Sequence, residues 1–241
     1  MKIAGKILKW FLGIIILLIL ALIILVRFTD GTISGGDKII LGYDEENKHF
    51  QIFEKKTYNL NGIDGPYIID NMLYEVKKEN KLVNRTINRQ DTLIVKVSNP
   101  DFDKFSFQLK DSITSEPDIY EIPEKLIIIS DIEGNFNGFS SFLISNNVVD
   151  ENFNWIFGNG HLVLNGDFVD RGENVTEVLW LIYKLENQAL QQGGKVHYIL
   201  GNHEIMNFQG NASYNNKKYK RVAQLISKNE DLNKAVQYLY S

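Results

Sequence analysis

Three short polar clusters hold the residues best suited to chemistry. They are Asp131-Ile132-Glu133-Gly134-Asn135, Gly166-Asp167-Phe168-Val169-Asp170-Arg171-Gly172 and Gly201-Asn202-His203-Glu204. Each follows directly on an apolar run: LIIIS at 126–130, HLVLN at 161–165 and VHYIL at 196–200. Singly, each has an ordinary explanation as turn residues or a helix cap. Jointly, they gather Asp131, Glu133, Asp167, Asp170, Asn202 and Glu204 at three strand ends. Carboxylates so crowded repel one another and are penalised wherever the dielectric is low. Arg171 and His203 do not balance them all, whereas divalent cations do. Asp167 can bridge two ions through its two oxygens, Asn202 offers a neutral carbonyl oxygen, and such donors favour Mn, Mg or Fe. Paired ions polarise a phosphoryl oxygen and lower the pKa of a bound water. Arg171 presents a planar fork to two phosphate oxygens. His203, oriented by Asp170, can protonate a leaving alkoxide. Asn135 is expected beside Arg171 as a second substrate contact.

The elements that must position these clusters are legible as patterns. The three continuous apolar runs read as strands buried on both faces. Between them, Val178, Leu181, Ile182, Leu185 and Ala189 recur at helical spacing over 174–190. Strands alternating with helices predict a parallel sheet in an α/β layout, where ligands bind beyond the strands' carboxyl ends. The tail 217–240 also reads as helix. Residues 38–110 differ: short alternating runs broken by Asn61-Gly62, Asp64-Gly65-Pro66 and Asn99-Pro100 predict β-hairpins.

At the N-terminus, WFLGIIILLILALIILV (10–26) carries no charge and is flanked by Lys9 and Arg27. A helix over this run rises roughly 26 Å at ~1.5 Å per residue, which predicts one membrane-spanning anchor. No small-residue cleavage site follows, and Lys2, Lys6 and Lys9 precede the run, so the expectation is a single-pass membrane protein with its catalytic part outside the cytoplasm. The expected domains are an anchor at 1–29, a tether and β-rich unit at 30–123, and an α/β domain at 124–241. Composition narrows the classes further. With 26 Lys+Arg against 30 Asp+Glu the net charge is −4, which disfavours nucleic acid as a partner. The absence of cysteine excludes disulfide scaffolds, cysteine-ligated zinc and cysteine nucleophiles.

GDFVDRG and GNHE resemble the phosphoprotein phosphatase branch of the calcineurin-like metallophosphoesterases, and GNHEIMNFQG is most similar to the bacterial Shewanella-like type. The resemblance covers about 124–241. It implies the layered sheet-and-helix fold of that family and a metal-dependent phosphoesterase acting on phosphomonoesters, in a phosphoprotein or a small molecule. By the resemblance Asp131 and Asp167 are metal ligands with Asp167 bridging, Asn202 holds the second ion, His203 and Asp170 form the acid pair, and Arg171 contacts phosphate. The implied cofactors are two divalent ions: Mn, Fe or Zn.

Two departures stand out. The usual D-x-H-G motif is here Asp131-Ile132-Glu133-Gly134, so Glu133 replaces a histidine ligand; it is expected to ligate the metal itself, the alternative being a place just outside the ligands. Further, no histidine follows His203, whereas the family supplies more downstream. The chain therefore reads as the N-terminal portion of a longer enzyme. The alternative is a truncated, non-catalytic, membrane-anchored relative that serves as a binding module.

Overall fold

A computed structural model describes residues 10–21, 24, 32–35, 39–44, 49–54, 59–60, 62–112, 117 and 119–241. The chain forms two compact units, Met1–Thr57 and Tyr58–Ser241.

In the first unit residues 10–21 are helical, and β1 (Thr32–Gly35), β2 (Ile39–Asp44) and β3 (His49–Glu54) form an antiparallel sheet in the order β1-β2-β3. The expected anchor is corrected here. Among the described residues no helix is long and apolar enough to cross a membrane. The single-pass anchor, the membrane partner and the extracytoplasmic placement that rested on it are not supported. The remainder of the expected span, apart from residue 24, lies outside the described residues.

The second unit contains the β-hairpins and the α/β part. β4 (Asp64–Ile69), β5 (Met72–Lys77) and β6 (Lys81–Thr86) form an antiparallel meander, and β7 (Leu93–Lys96) pairs with β8 (Lys104–Phe107). β9 (Leu126–Ile129), β10 (His161–Asn165) and β11 (Lys195–Ile199) form a parallel sheet in the order β9-β10-β11. Leu126 pairs with His161 and Leu162 with Val196, so the three strands finish nearly level. Parallel neighbours need a crossover. α1 (Phe136–Ser145) lies in the connection from β9 to β10, and α2 (Val175–Gln191) in that from β10 to β11. α3 (Asn202–Phe208), α4 (Lys217–Ser227) and α5 (Leu232–Tyr240) follow. The helical tail expected over 217–240 consists of two helices. Lys228 takes a left-handed φ of 56°, and the Asp231 side chain caps the new helix by accepting from Asn233 and Lys234 N–H.

One core joins these parts. Leu162, Leu164 and Val196 of the sheet, Phe136, Phe139 and Leu143 of α1, and Val178, Leu181 and Leu185 of α2 pack with Val95, Phe105 and Phe107 of the β7–β8 hairpin. Phe105 stacks on Phe136 with ring centroids 6.1 Å apart. Burial on both sheet faces, expected from the apolar runs, holds on one face. On the other, Ile128 is 61% and Ile199 47% exposed.

Glu177 breaks the apolar face of α2. It is fully buried, and neither carboxyl oxygen makes a hydrogen bond of ordinary geometry. Burial, reinforced by nearby Asp64, pushes its pKa well above the usual carboxylate range. Asp64 has its own partners, Lys218 Nζ at 3.1 Å and the Tyr67 hydroxyl at 2.8 Å. A carboxyl with a raised folded pKa contributes stability that is full below its unfolded pKa, about 4.3, and is lost as pH rises through the folded value. Glu177→Met is therefore expected to stabilise the chain by about 1–3 kcal/mol at pH 8 and by less at pH 5. Urea midpoints at both pH values check this. An equal shift at both would contradict the assignment.

Candidate active site

The three clusters meet where the parallel strands end, and backbone hydrogen bonds hold them there. Asp131 N–H donates to the Gly166 carbonyl at 3.1 Å, Glu133 N–H to Asp167 at 3.0 Å and Gly134 N–H to Phe168 at 2.9 Å. The first two clusters are thereby zipped together. Gly201 lies against Gly166 and Asp167, and a Cβ on Gly201 would fall on the Asp167 carboxylate. Only glycine permits this approach.

The backbone through the site is strained. Asp131, Glu133, Asp167, Asp170 and Arg171 have φ of 57°, 48°, 61°, 74° and 51°. Left-handed non-glycine residues cost of order 1 kcal/mol or more each and persist only where surrounding contacts over-determine them. For Asp167, Glu204 supplies those contacts. Its Oε1 accepts from Phe168 N–H at 2.8 Å and Val169 N–H at 3.3 Å, and its Oε2 from Asp167 N–H at 2.9 Å and Gly201 N–H at 2.7 Å. The Tyr198 hydroxyl donates to Oε1 at 3.0 Å. Burial pushes the Glu204 carboxyl up, but the N–H groups of Asp167, Phe168 and Gly201 and the Tyr198 hydroxyl outweigh it and hold the pKa below the ordinary value. Glu204 therefore braces the loop that carries Asp167, rather than joining the open carboxylate cluster.

His203 and Asp170 are both buried, with His203 Nδ1 2.7 Å from Asp170 Oδ2. Asp170 Oδ1 accepts from Asn207 Nδ2 at 3.0 Å and also from Asn215 Nδ2. Sequence reasoning missed both asparagines. Asn207 sits one helical turn after His203, a spacing that could have singled it out, but Asn215 has no local signal. The contact to Asp170 assigns the Nδ1–H tautomer of His203 and leaves Nε2 as its reactive nitrogen. Asp167 Oδ1 accepts from His203 N–H at 2.9 Å, which ties the second and third clusters together.

The remaining expected residues are placed as follows. Glu133 forms an ion pair with Arg171 Nη1. The Arg171 guanidinium also lies over the Tyr214 ring, 5.3 Å from its centroid. The Asn135 side chain caps α1, its Oδ1 accepting from Gly138 N–H at 2.9 Å. Asp131 and Asn202 are exposed at the strand ends, and Asp167 is half-buried between them in sequence order.

Metal capacity follows from these assignments. Among the described residues no group of three or more His, Cys, Asp or Glu is arranged to hold an ion. Glu133 is paired with Arg171, Asp170 faces His203 and two amides, and Glu204 is turned to the backbone. Asp131, Asp167 and Asn202 remain: two carboxylates and an amide oxygen, donors that suit a hard divalent ion with water completing its shell. The donor types suit such an ion, and among the described residues no acidic or histidine cluster is arranged for the expected two.

Comparison with known proteins finds a family and several relatives that the chain resembles. Residues 124–237 match the family described as calcineurin-like phosphoesterase. Shewanella-like protein phosphatase 2 of Arabidopsis thaliana is 34% identical over 99 residues, 41% of this chain and 25% of that protein. Shewanella-like protein phosphatase 1 of Plasmodium berghei is 37% identical over 94 residues, 39% of this chain and 26% of that one. The crystal structure of a cold-active protein-tyrosine phosphatase from a psychrophilic Shewanella species superposes with a TM-score of 0.60 at 30% identity, covering 74% of this chain and 57% of that one. The matches thus span about a quarter of the curated relatives and just over half of the solved structure.

Proposed function

We infer, from the premise that residues 124–237 belong to the calcineurin-like phosphoesterase family, that this chain carries a metallophosphoesterase site acting on phosphomonoesters. The observation that supports it most is the buried His203–Asp170 pair, tied to Asp167 Oδ1 through the His203 N–H. A non-catalytic binding role gains nothing from a buried, fully oriented acid pair.

Divalent ions are the family's cofactor, and Asp131, Asp167 and Asn202 would hold one in this chain. A bound ion would supply Lewis acidity at the phosphoryl group and lower the pKa of a water. The chain's own residues do the rest. Arg171 binds phosphoryl oxygens through its guanidinium fork. His203 Nε2 delivers a proton to the leaving oxygen, and the Asp170 carboxylate stabilises the imidazolium that precedes transfer. Asn207 and Asn215 hold that carboxylate in the plane His203 requires. Asn135 is a further substrate contact in this reading, alongside its capping role. The relatives are named as protein phosphatases, and the solved neighbour as a protein-tyrosine phosphatase, which supports a phosphorylated protein as substrate. The direct test is release of phosphate from an aryl phosphate by the full chain with added divalent ion.

Glu133 gives this reading a sharper prediction. It occupies the guanidinium that must bind phosphate, so substrate competes with it. Exposed pairs of this kind are worth about 0.2–1 kcal/mol, and Glu133→Gln is expected to lower KM roughly 1.5–5-fold. Steady-state kinetics at fixed metal concentration measure this. A raised KM would instead place Glu133 among the groups that bind the ion.

A further inference from the structure

We propose that Tyr214 is the residue that selects aryl over alkyl phosphates, a proposal that rests on the phosphomonoesterase reading above. Tyr214 is 47% exposed, although its ring touches both working side chains of the site. Its centroid is 5.0 Å from the His203 ring at an interplanar angle of 69°, and 5.3 Å from the Arg171 guanidinium carbon. Its position is fixed from two sides. The Tyr214 carbonyl accepts the Arg171 backbone N–H at 3.0 Å, and the next residue, buried Asn215, is bonded to Asp170 and to Asn207. The backbone at Tyr214 is therefore tied into the site, and the ring rests against His203 and Arg171.

The placement constrains what passes over it. The phosphoryl group goes to Arg171, and the leaving oxygen must come within hydrogen-bond reach of His203 Nε2. The group attached to that oxygen then leaves the site beside a ring in contact with both residues. An aryl group there can pack on Tyr214 in an offset or edge-on arrangement, worth roughly 2–13-fold in affinity. A serine or threonine side chain presents no ring and gains nothing comparable. Tyr214 touches the leaving group and carries no proton in the reaction. It is a determinant of specificity.

The test separates this from the activity itself. Phenylphosphonate and methylphosphonate, which the enzyme does not hydrolyse, are titrated calorimetrically into the full chain in manganese buffer. Wild type is expected to bind phenylphosphonate more tightly by roughly 2–13-fold. Tyr214→Ala abolishes that preference and Tyr214→Phe keeps it, with thermal unfolding showing both variants folded. With phosphotyrosine as substrate, Tyr214→Ala raises KM and leaves kcat within about twofold, the partition expected when binding shared by ground and transition states is removed. An unchanged preference, an equal loss for both phosphonates, or no binding of either by wild type overturns the proposal. A preserved preference without turnover of phosphotyrosine would overturn the phosphoesterase reading and leave the ring's selectivity standing.

Discussion

His203→Ala in the full chain is expected to cut kcat for phosphomonoesters roughly 10²–10⁴-fold, with little change in KM. The imidazole meets the leaving oxygen only as the bond breaks, so its loss removes an interaction made in the transition state. Its geometry admits no substitute. Nδ1 is committed to buried Asp170, and that carboxylate is in turn held by Asn207 and Asn215. Asp170→Asn is expected to follow the same course with a smaller loss, because the amide no longer stabilises the imidazolium. Leaving-group dependence provides a check within the same experiment. A substrate whose leaving alcohol is already acidic needs less protonation, so nitrophenyl phosphate should lose less rate in His203→Ala than phosphoserine does. Equal losses on both would move His203 from proton donor to a binding role.

Glu204→Ala is expected to have the largest effect on stability, about 3–5 kcal/mol in urea unfolding at neutral pH, the usual cost of breaking a buried charged network. Four backbone N–H groups, of Asp167, Phe168, Val169 and Gly201, lose their acceptor at once. Buried donors left without a partner cost about 1–3 kcal/mol each, less where water reaches them. Glu204→Gln is not a gentle replacement, since its NH2 would face two of those N–H groups, donor to donor. The carboxyl's pKa is depressed in the folded state, so its contribution is present above the unfolded pKa, about 4.3, and is lost as pH falls through the lowered folded value. The difference between wild type and Glu204→Ala should shrink correspondingly on acidification. A loss below about 1 kcal/mol at neutral pH, the worth of a single hydrogen bond, would mean that the loop is held by something else.

The parallel sheet and its helices were legible because apolar runs of strand length alternate with a helical period, and both signals are local. The division of labour among the acidic residues was not. Asp131, Glu133, Asp167, Asp170 and Glu204 are equivalent as letters. What separates them is partner geometry: Arg171 for Glu133, His203 and two amides for Asp170, and four backbone donors for Glu204. All of these but Gly201 lie far away in sequence. The left-handed backbone at five site residues was equally hidden, since Asp and Arg do not announce positive φ as glycine does. β6 escaped notice because KLVNRT is polar and mostly exposed, with no alternation to mark it. The N-terminal expectation failed for a different reason. Hydropathy reports the composition of a run, whereas spanning requires a helix of sufficient length, and none is found among the described residues.

As proposed, the oxygens of Asp131, Asp167 and Asn202, together with His203, form a metal-dependent phosphate-releasing site. The most direct measurement is inorganic phosphate released from phosphotyrosine by the full chain with manganese, before and after EDTA, in wild type and in Asp167→Asn. Wild type is expected to release phosphate, EDTA to abolish that release and Asp167→Asn to lack it. No release in wild type, or release indifferent to both EDTA and the substitution, would contradict the proposal.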